Sequence, residues 1–239
     1  MAGNLYIVAT PIGNLEDITF RAVNILKSVD LIACEDTRHS RVLLSKYEIS
    51  KPLTSYHSYN KTEKLSYLIK ELNNGKNIAV ISEAGTPGIS DPGFLLVKKA
   101  IEEDIQVVPV PGPSAVISAL CCSGLPTDDF IFLGFLPRKK GKIKRVIENA
   151  ASHGKTVVFY ESPYRLKKTI EIVKDLFDKN SEIVIARELT KRFEEFIRGN
   201  LNNISDMLPE KILGEITILI NPVIHSRIDG ETDNSKGNV

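Results

Sequence analysis

Ser82-Glu83-Ala84-Gly85-Thr86-Pro87-Gly88-Ile89-Ser90-Asp91-Pro92-Gly93 is the stretch on which the fold turns. Before it, residues 77–81 make a short apolar, β-branched run that reads as a buried strand; after it, residues 94–101 have helical apolar spacing. Strand, long loop and helix in that order are the unit of an α/β fold. Pro87 and Pro92 stiffen the loop, and its glycines let a ligand approach the main chain. Asp91 followed by Pro92 has the form of an N-cap and a first helical residue. The free N–H groups of such a turn can cradle a carboxylate, a phosphate or a base edge. No lysine follows these glycines at Walker A spacing and no Gly-x-Gly-x-x-Gly occurs, so the two common nucleotide fingerprints are excluded. Taken alone, the loop is also compatible with an ordinary turn that binds nothing.

The same unit repeats on either side. Residues 5–9, 31–34, 52–57 and 107–110 read as strands. The intervening helices are marked by Ala22, Ile25, Leu26 and Val29, by Val42, Leu43 and Leu44, by Leu65, Leu68, Ile69 and Leu72, and by the apolar run 115–120. Alternating strands and helices predict an α/β domain with a mainly parallel sheet. Parallel strands put their C-terminal ends on one edge, where open α/β sheets bind ligands. Residues 10–14, 35–38, 82–93 and 111–114 are therefore expected to be neighbours.

Gly124, Pro126, Asp128 and Asp129 interrupt the apolar pattern and mark a boundary. A second α/β unit follows, with strands expected at 130–135, 156–160, 183–186, 193–198 and 215–220. A helix runs through Leu166, Ile170, Val173 and Leu176, and a short one is expected at 204–208. This sheet is expected to be mixed. The expected organisation is an N-terminal domain over 1–120, a C-terminal domain over 121–225 and a polar, disordered tail over 226–239.

With 42% hydrophobic and 26% charged residues, the 239-residue chain has the composition of a soluble globular protein and the length for two cores. A net charge of +1 means that any nucleic-acid affinity must come from a local patch. One exists: Arg138, Lys139, Lys140, Lys142, Lys144 and Arg145 are six basic residues in eight, dense enough for phosphate contacts. A solvated loop and helix start is the plainer reading, although a basic start opposes the helix dipole. Cys34, Cys121 and Cys122 are odd in number, lack metal-ligand spacing and read as reduced core thiols of a cytoplasmic protein. The first ten residues hold no basic segment and only a five-residue apolar run, so neither a signal peptide nor a membrane anchor is expected there.

A series of motifs in order resembles the tetrapyrrole methylase superfamily, and within it the branch that modifies small-subunit ribosomal RNA. It comprises residues 8–15 with Asp17 and Ile18, residues 34–38, 55–57, 82–93, 109–115, 132–137 and 160–163. The resemblance implies two α/β domains with S-adenosylmethionine in the cleft between them, and a homodimer. It implies methyl transfer to the ribose 2′-hydroxyl of a decoding-centre cytidine in 16S ribosomal RNA. Relatives acting on corrin rings usually have Gly-Asp-Pro where Gly85-Thr86-Pro87 stands here, which favours the RNA branch. Carried over, the cofactor would meet Pro11 and Gly13, then Ser82, Glu83, Ala84, Gly85, Thr86, Pro87, Gly88 and Ile89. It would also meet Pro111, Gly112, Pro113, Ser114 and Ala115, with Tyr160 and Glu161 from the second domain.

A ribose hydroxyl is a weak nucleophile that benefits from a base. Glu35, Asp36, His39, Glu83, Asp91, Glu161 and Glu188 are candidates. Asp91 and Asp36 have the alternative job of capping helices, whereas Glu83 has none evident, so Glu83 or Glu35 is expected to orient or deprotonate the hydroxyl. Arg38 and Arg41 join the basic run as expected phosphate contacts, and His57 either stacks on a base or finishes an edge strand. No metal is called for. Two other classes stay open: a small-molecule methyltransferase acting on a tetrapyrrole, and a non-catalytic ribosome-assembly factor.

Overall fold

Ile78, Ala79, Val80 and Ile81 are all buried, and Leu31, Ile32, Ala33 and Cys34 likewise, because each of these strands is covered on both faces. Such continuous apolar runs belong to the centre of a parallel sheet, where alternate side chains enter opposite cores. The computed structural model describes residues 1–57, 61–90 and 93–223, the side chains of residues 61 and 62 excepted. Asp91 and Pro92 as helix start, and the tail 226–239, lie outside the described residues.

The first half runs β1 (Leu5–Val8), α1 (Phe20–Ser28), β2 (Leu31–Cys34), α2 (Thr37–Lys46), β3 (Leu53–Ser55), α3 (Lys61–Asn73), β4 (Ile78–Ile81), α4 (Gly93–Glu102), β5 (Val107–Val110) and α5 (Ala115–Cys121). Its strands form one parallel sheet in the order β3-β2-β4-β1-β5. Ile32, Cys34, Ala79 and Ile81 pack on one side with Ala22 and Leu26 of α1 and Leu43 and Leu44 of α2. Leu31, Ala33, Ile78 and Val80 pack on the other with Leu68 and Leu72 of α3 and Leu96 and Ala100 of α4. Burying one such aliphatic side chain contributes roughly 1.5–3 kcal/mol, and these two layers set the direction of every strand end at the site.

The second half runs β6 (Phe130–Phe135), α6 (Lys140–Ala151), β7 (Thr156–Glu161), α7 (Leu166–Lys174), β8 (Glu182–Arg187), β9 (Glu195–Asn200) and β10 (Ile216–Asn221). The sheet order is β6-β7-β10-β8-β9, parallel only between β6 and β7, so it is mixed. α6 and α7 cover its outer face through Ile143, Ile147, Ile170 and Val173. The inner face presents Val158, Val184, Ala186 and Leu219 to Ile12 and to Val116, Ala119 and Leu120 of α5. That apolar seam joins the two sheets.

Two expectations are corrected. Residues 204–208 are a run of turns and not a helix. Asn200 Oδ1 accepts from the N–H groups of Asn202 and Asn203, and Asn203 Oδ1 accepts from Asn200 N–H, so side chains take donors that a helix start would use. Cys34 is buried, but Cys121 and Cys122 are exposed, because α5 turns Val116, Ala119 and Leu120 inward and leaves both thiols on the solvent side.

Candidate active site

The end of β1 is stitched to the long loop. Thr10 N–H donates to Gly85 O at 2.9 Å and Gly85 N–H returns the bond to Thr10 O at 3.0 Å. Thr10 Oγ1 donates to Ser82 O at 3.2 Å, and Ser82 Oγ to Gly85 O at 3.0 Å. Gly85 holds φ +81°, and a Cβ there would lie 3.4 Å from Ile12 Cγ2. The torsion is what favours glycine, since the space would admit a Cβ in ordinary contact. Thr86 Oγ1 donates to Pro113 O at 3.4 Å, tying the loop to the turn after β5.

Between this edge and the second sheet lies a cavity of about 350 Å3. The first half contributes Ile12, Glu35, Ser114 and Ala115, together with Ser82, Glu83, Ala84, Gly85, Thr86, Ile89 and Ser90 of the loop. The second half contributes Phe135, Tyr160, Glu161, Ser162, Pro163 and Leu189, with Gly214 and Glu215 before β10 and Ile216 and Thr217 at its start. The loops after β1, β2, β4 and β5 thus meet at one cavity, each giving it at least one residue. Pro11, Pro87, Gly88, Pro111, Gly112 and Pro113 lie in these loops but outside the cavity wall. Gly13 faces the second half instead: a Cβ on it would lie 2.8 Å from Leu189 O. Sequence reasoning assigned no site role to Phe135, Ser162, Pro163, Leu189 or residues 214–217. An isolated glycine inside an apolar strand, Gly134, was the available signal for the first of these.

Several acidic candidates are occupied. Asp36 caps α2 by accepting from Arg38 N–H at 2.7 Å and pairs with the Arg38 guanidinium at 3.1 Å, which together hold its carboxyl below the usual range. Glu161 is only 2% exposed. Its oxygens accept from Thr169 Oγ1 at 2.7 Å and Ser162 N–H at 2.7 Å, and Arg165 Nε stands 3.3 Å away. Burial works against the Glu188 carboxylate, yet Lys191 Nζ at 2.9 Å and Glu215 N–H at 3.0 Å hold its pKa below the ordinary value. Glu83, by contrast, is exposed on the cavity wall, and no hydrogen bond or ion pair among the described residues engages it. Glu35 is half-buried on the same wall. His39 is exposed on α2, and His57 follows the edge strand β3. Tyr160 packs edge-on against Phe132, with ring centroids 5.0 Å apart, and burial with the nearby Glu215 charge pushes its hydroxyl pKa up.

Arg165 also donates to the carbonyls of Leu136 (3.2 Å) and Pro137 (2.8 Å), which joins the cavity wall at Glu161 to the start of the basic segment. Within that segment Lys140 and Lys144 pair with Asp175 at 3.4 and 3.2 Å. Arg138, Lys139, Lys142 and Arg145 are exposed and have no ion-pair partner among the described residues. Arg41 is exposed on α2 beside Lys51, apart from this segment.

Among the described residues no cluster of three or more His, Cys, Asp or Glu side chains could hold a metal ion. No helix among them is long and apolar enough to cross a membrane. The family described as Tetrapyrrole (Corrin/Porphyrin) Methylases matches residues 4–205. The chain is 48% identical over 223 residues to the Ribosomal RNA small subunit methyltransferase I of Haemophilus influenzae, covering 92% of this chain and 79% of that one. It is 47% identical over 219 residues to the protein of the same name from Thermotoga maritima, covering 91% and 98%. Among solved structures, a diphthine synthase superposes with a TM-score of 0.73 at 12% identity, covering 93% of this chain and 92% of that one. The uroporphyrin-III C-methyltransferase of Thermus thermophilus, complexed with S-adenyl homocysteine, superposes with a TM-score of 0.62 at 17% identity, covering 91% and 97%. The sheet orders, the cavity on the loop edge and a match across residues 4–205 converge: the chain belongs to the tetrapyrrole methylase family.

Proposed function

We propose that this protein transfers a methyl group from S-adenosylmethionine to small-subunit ribosomal RNA, at the ribose 2′-hydroxyl of a decoding-centre cytidine. The observation that carries the reading is a ligand-sized cavity on the loop edge beside unpaired basic residues, in a chain 48% identical to a relative named for small-subunit RNA methylation. The wall fits the cofactor: about 350 Å3, apolar at Ile12, Ile89 and Leu189, and polar at Ser82, Thr86 and Ser114. S-adenosylmethionine, when bound, supplies an electrophilic methyl group on a sulfonium.

The loop 82–90 and the start of α5 would hold the cofactor, and the stitched Thr10 and Gly85 backbone keeps that wall from yielding. Holding two reactants in line can contribute up to roughly 7–11 kcal/mol in favourable systems. Glu83 accepts the hydroxyl proton or orients the hydroxyl, with Glu35 as the other carboxylate within the wall. Glu161 braces the wall, its oxygens already engaged by Thr169, Ser162 and Arg165. Arg138, Lys139, Lys142 and Arg145 contact phosphate, with Arg38 and Arg41 on the other half extending the track and Lys140 and Lys144 partly committed to Asp175.

Residues 1–120 and 121–225 would act as two domains about the cleft, in the cytoplasm where ribosomal subunits are, and as a homodimer. Phe94 and Ile101, two turns apart on α4 and both exposed, support a protein contact there. A single-chain mass in sedimentation equilibrium would contradict the dimer. The function is tested by labelled methyl transfer from S-adenosylmethionine to purified small subunits, to protein-free 16S RNA and to a tetrapyrrole. Label in either RNA sample is expected; label only in the tetrapyrrole, or in none of them, would overturn the reading.

A further inference from the structure

Strand alternation alone would send Phe130, Phe132 and Gly134 of β6 to one face and Ile131, Leu133 and Phe135 to the other. The pairing with β7 breaks that pattern. Phe132 faces Val158, but the next matched pair is Phe135 with Tyr160, so three residues of β6 advance against two of β7. This is a one-residue bulge, and Gly134 takes φ +64° within it. A Cβ on Gly134 would come 3.2 Å from Ser90 Oγ, so the bulge is seated against the long loop of the other half. Its effect is to move Phe135 out of the set of Ile131 and Leu133, which pack on the outer core, and onto the face of Phe132 and Tyr160.

There the ring lines the cavity and stays 64% exposed, with Tyr160 at 5.3 Å on one side. A backbone irregularity that takes a phenylalanine from a core face to an open cavity wall exchanges core packing for one ring contact and leaves most of the ring exposed. Bulges beside active sites re-aim side chains, and an exposed aromatic next to cations is the usual platform for an unstacked base. The first cations, Arg138 and Lys139, lie three and four residues further along the chain.

We propose that Phe135 is a base-stacking residue: its ring receives a nucleobase of the RNA segment that enters the cavity, while Arg138 and Lys139 hold the adjoining phosphates. This rests on the RNA methyltransferase reading. Phe135→Ala, Phe135→Leu and Phe135→Trp are compared with wild type for methyl transfer to small subunits at saturating S-adenosylmethionine, and for S-adenosylhomocysteine affinity by calorimetry. The Ala and Leu variants are expected to lose roughly 5- to 100-fold in kcat/KM for the subunit. The Trp variant is expected to recover most of that loss, and cofactor-product affinity is expected to be unchanged in all three. A Leu variant as active as wild type overturns the inference alone, as does a loss of S-adenosylhomocysteine affinity that matches the loss of transfer, which would place the ring against adenine of the cofactor. A wild-type protein that transfers nothing to small-subunit RNA overturns this inference together with the reading beneath it.

Discussion

Glu83 and Glu161 stand on one cavity wall in opposite surroundings, and the roles proposed for them follow that difference. Glu161 has its oxygens committed to Thr169, Ser162 and Arg165, whereas Glu83 is exposed and unengaged among the described residues. Glu83→Gln keeps the size and removes the carboxylate proposed as the base. Single-turnover methyl transfer is expected to fall about 10²-fold or more, with S-adenosylhomocysteine affinity retained in calorimetry; an undiminished rate would exclude Glu83 as the base. Glu188 makes a different prediction. Its pKa is depressed in the fold, so its ionised form stabilises the protein above the unfolded value, and that contribution is lost as pH falls through the folded value. Thermal melts of Glu188→Gln across the acid range should therefore show less acid-induced loss than wild type. The capping role of Asp36 was legible from its place just before a helix. The commitment of Glu161 was not, since Thr169 lies eight residues away on α7 and Arg165 four residues away at its N-cap, and only the packing of α7 under β7 brings them together.

β2 and β4 were legible as buried strands because both of their faces enter a core, so every residue is apolar. The 201–208 segment was not, because a few apolar residues at helical spacing say nothing about asparagine side chains that take the backbone donors. β6 hides more: its six-residue run reads as regular, and only the register against β7 exposes the bulge. Gly134→Ala forces a side chain into positive φ and toward Ser90 Oγ, and is expected to cost about 1–3 kcal/mol in urea unfolding. The start of α6 was legible as a basic run but not as two groups. Lys140 and Lys144 are held by Asp175 from beyond α7, while Arg138, Lys139, Lys142 and Arg145 are open to phosphate. Neutralising one of the open four should flatten the slope of log affinity for RNA against log salt by roughly 0.7–0.9. Neutralising Lys140 or Lys144 should flatten it less, which filter binding across a salt series would resolve.

At the scale of the molecule, two sheets of unlike topology are held by one apolar seam, in which α5 of the first half lies on Val158, Val184 and Leu219 of the second. The cavity opens beside that seam, roofed by the loops after four parallel strands and floored by β7 and β10. Alternating strands and helices made the parallel half and its loop edge legible. How the mixed half would face it was not, because nothing in β10 or in residues 189–191 signals contact with a turn more than 170 positions earlier, as Leu189 makes with Gly13. The reaction proposed for this cavity is delivery of a methyl group to one ribose of the small subunit. The most direct measurement is mass spectrometry of ribose methylation in 16S RNA, on small subunits from cells lacking the protein, before and after incubation with purified protein and S-adenosylmethionine. A single cytidine that is unmethylated before and 2′-O-methylated after is expected; a methylation map identical before and after incubation would overturn the proposed reaction.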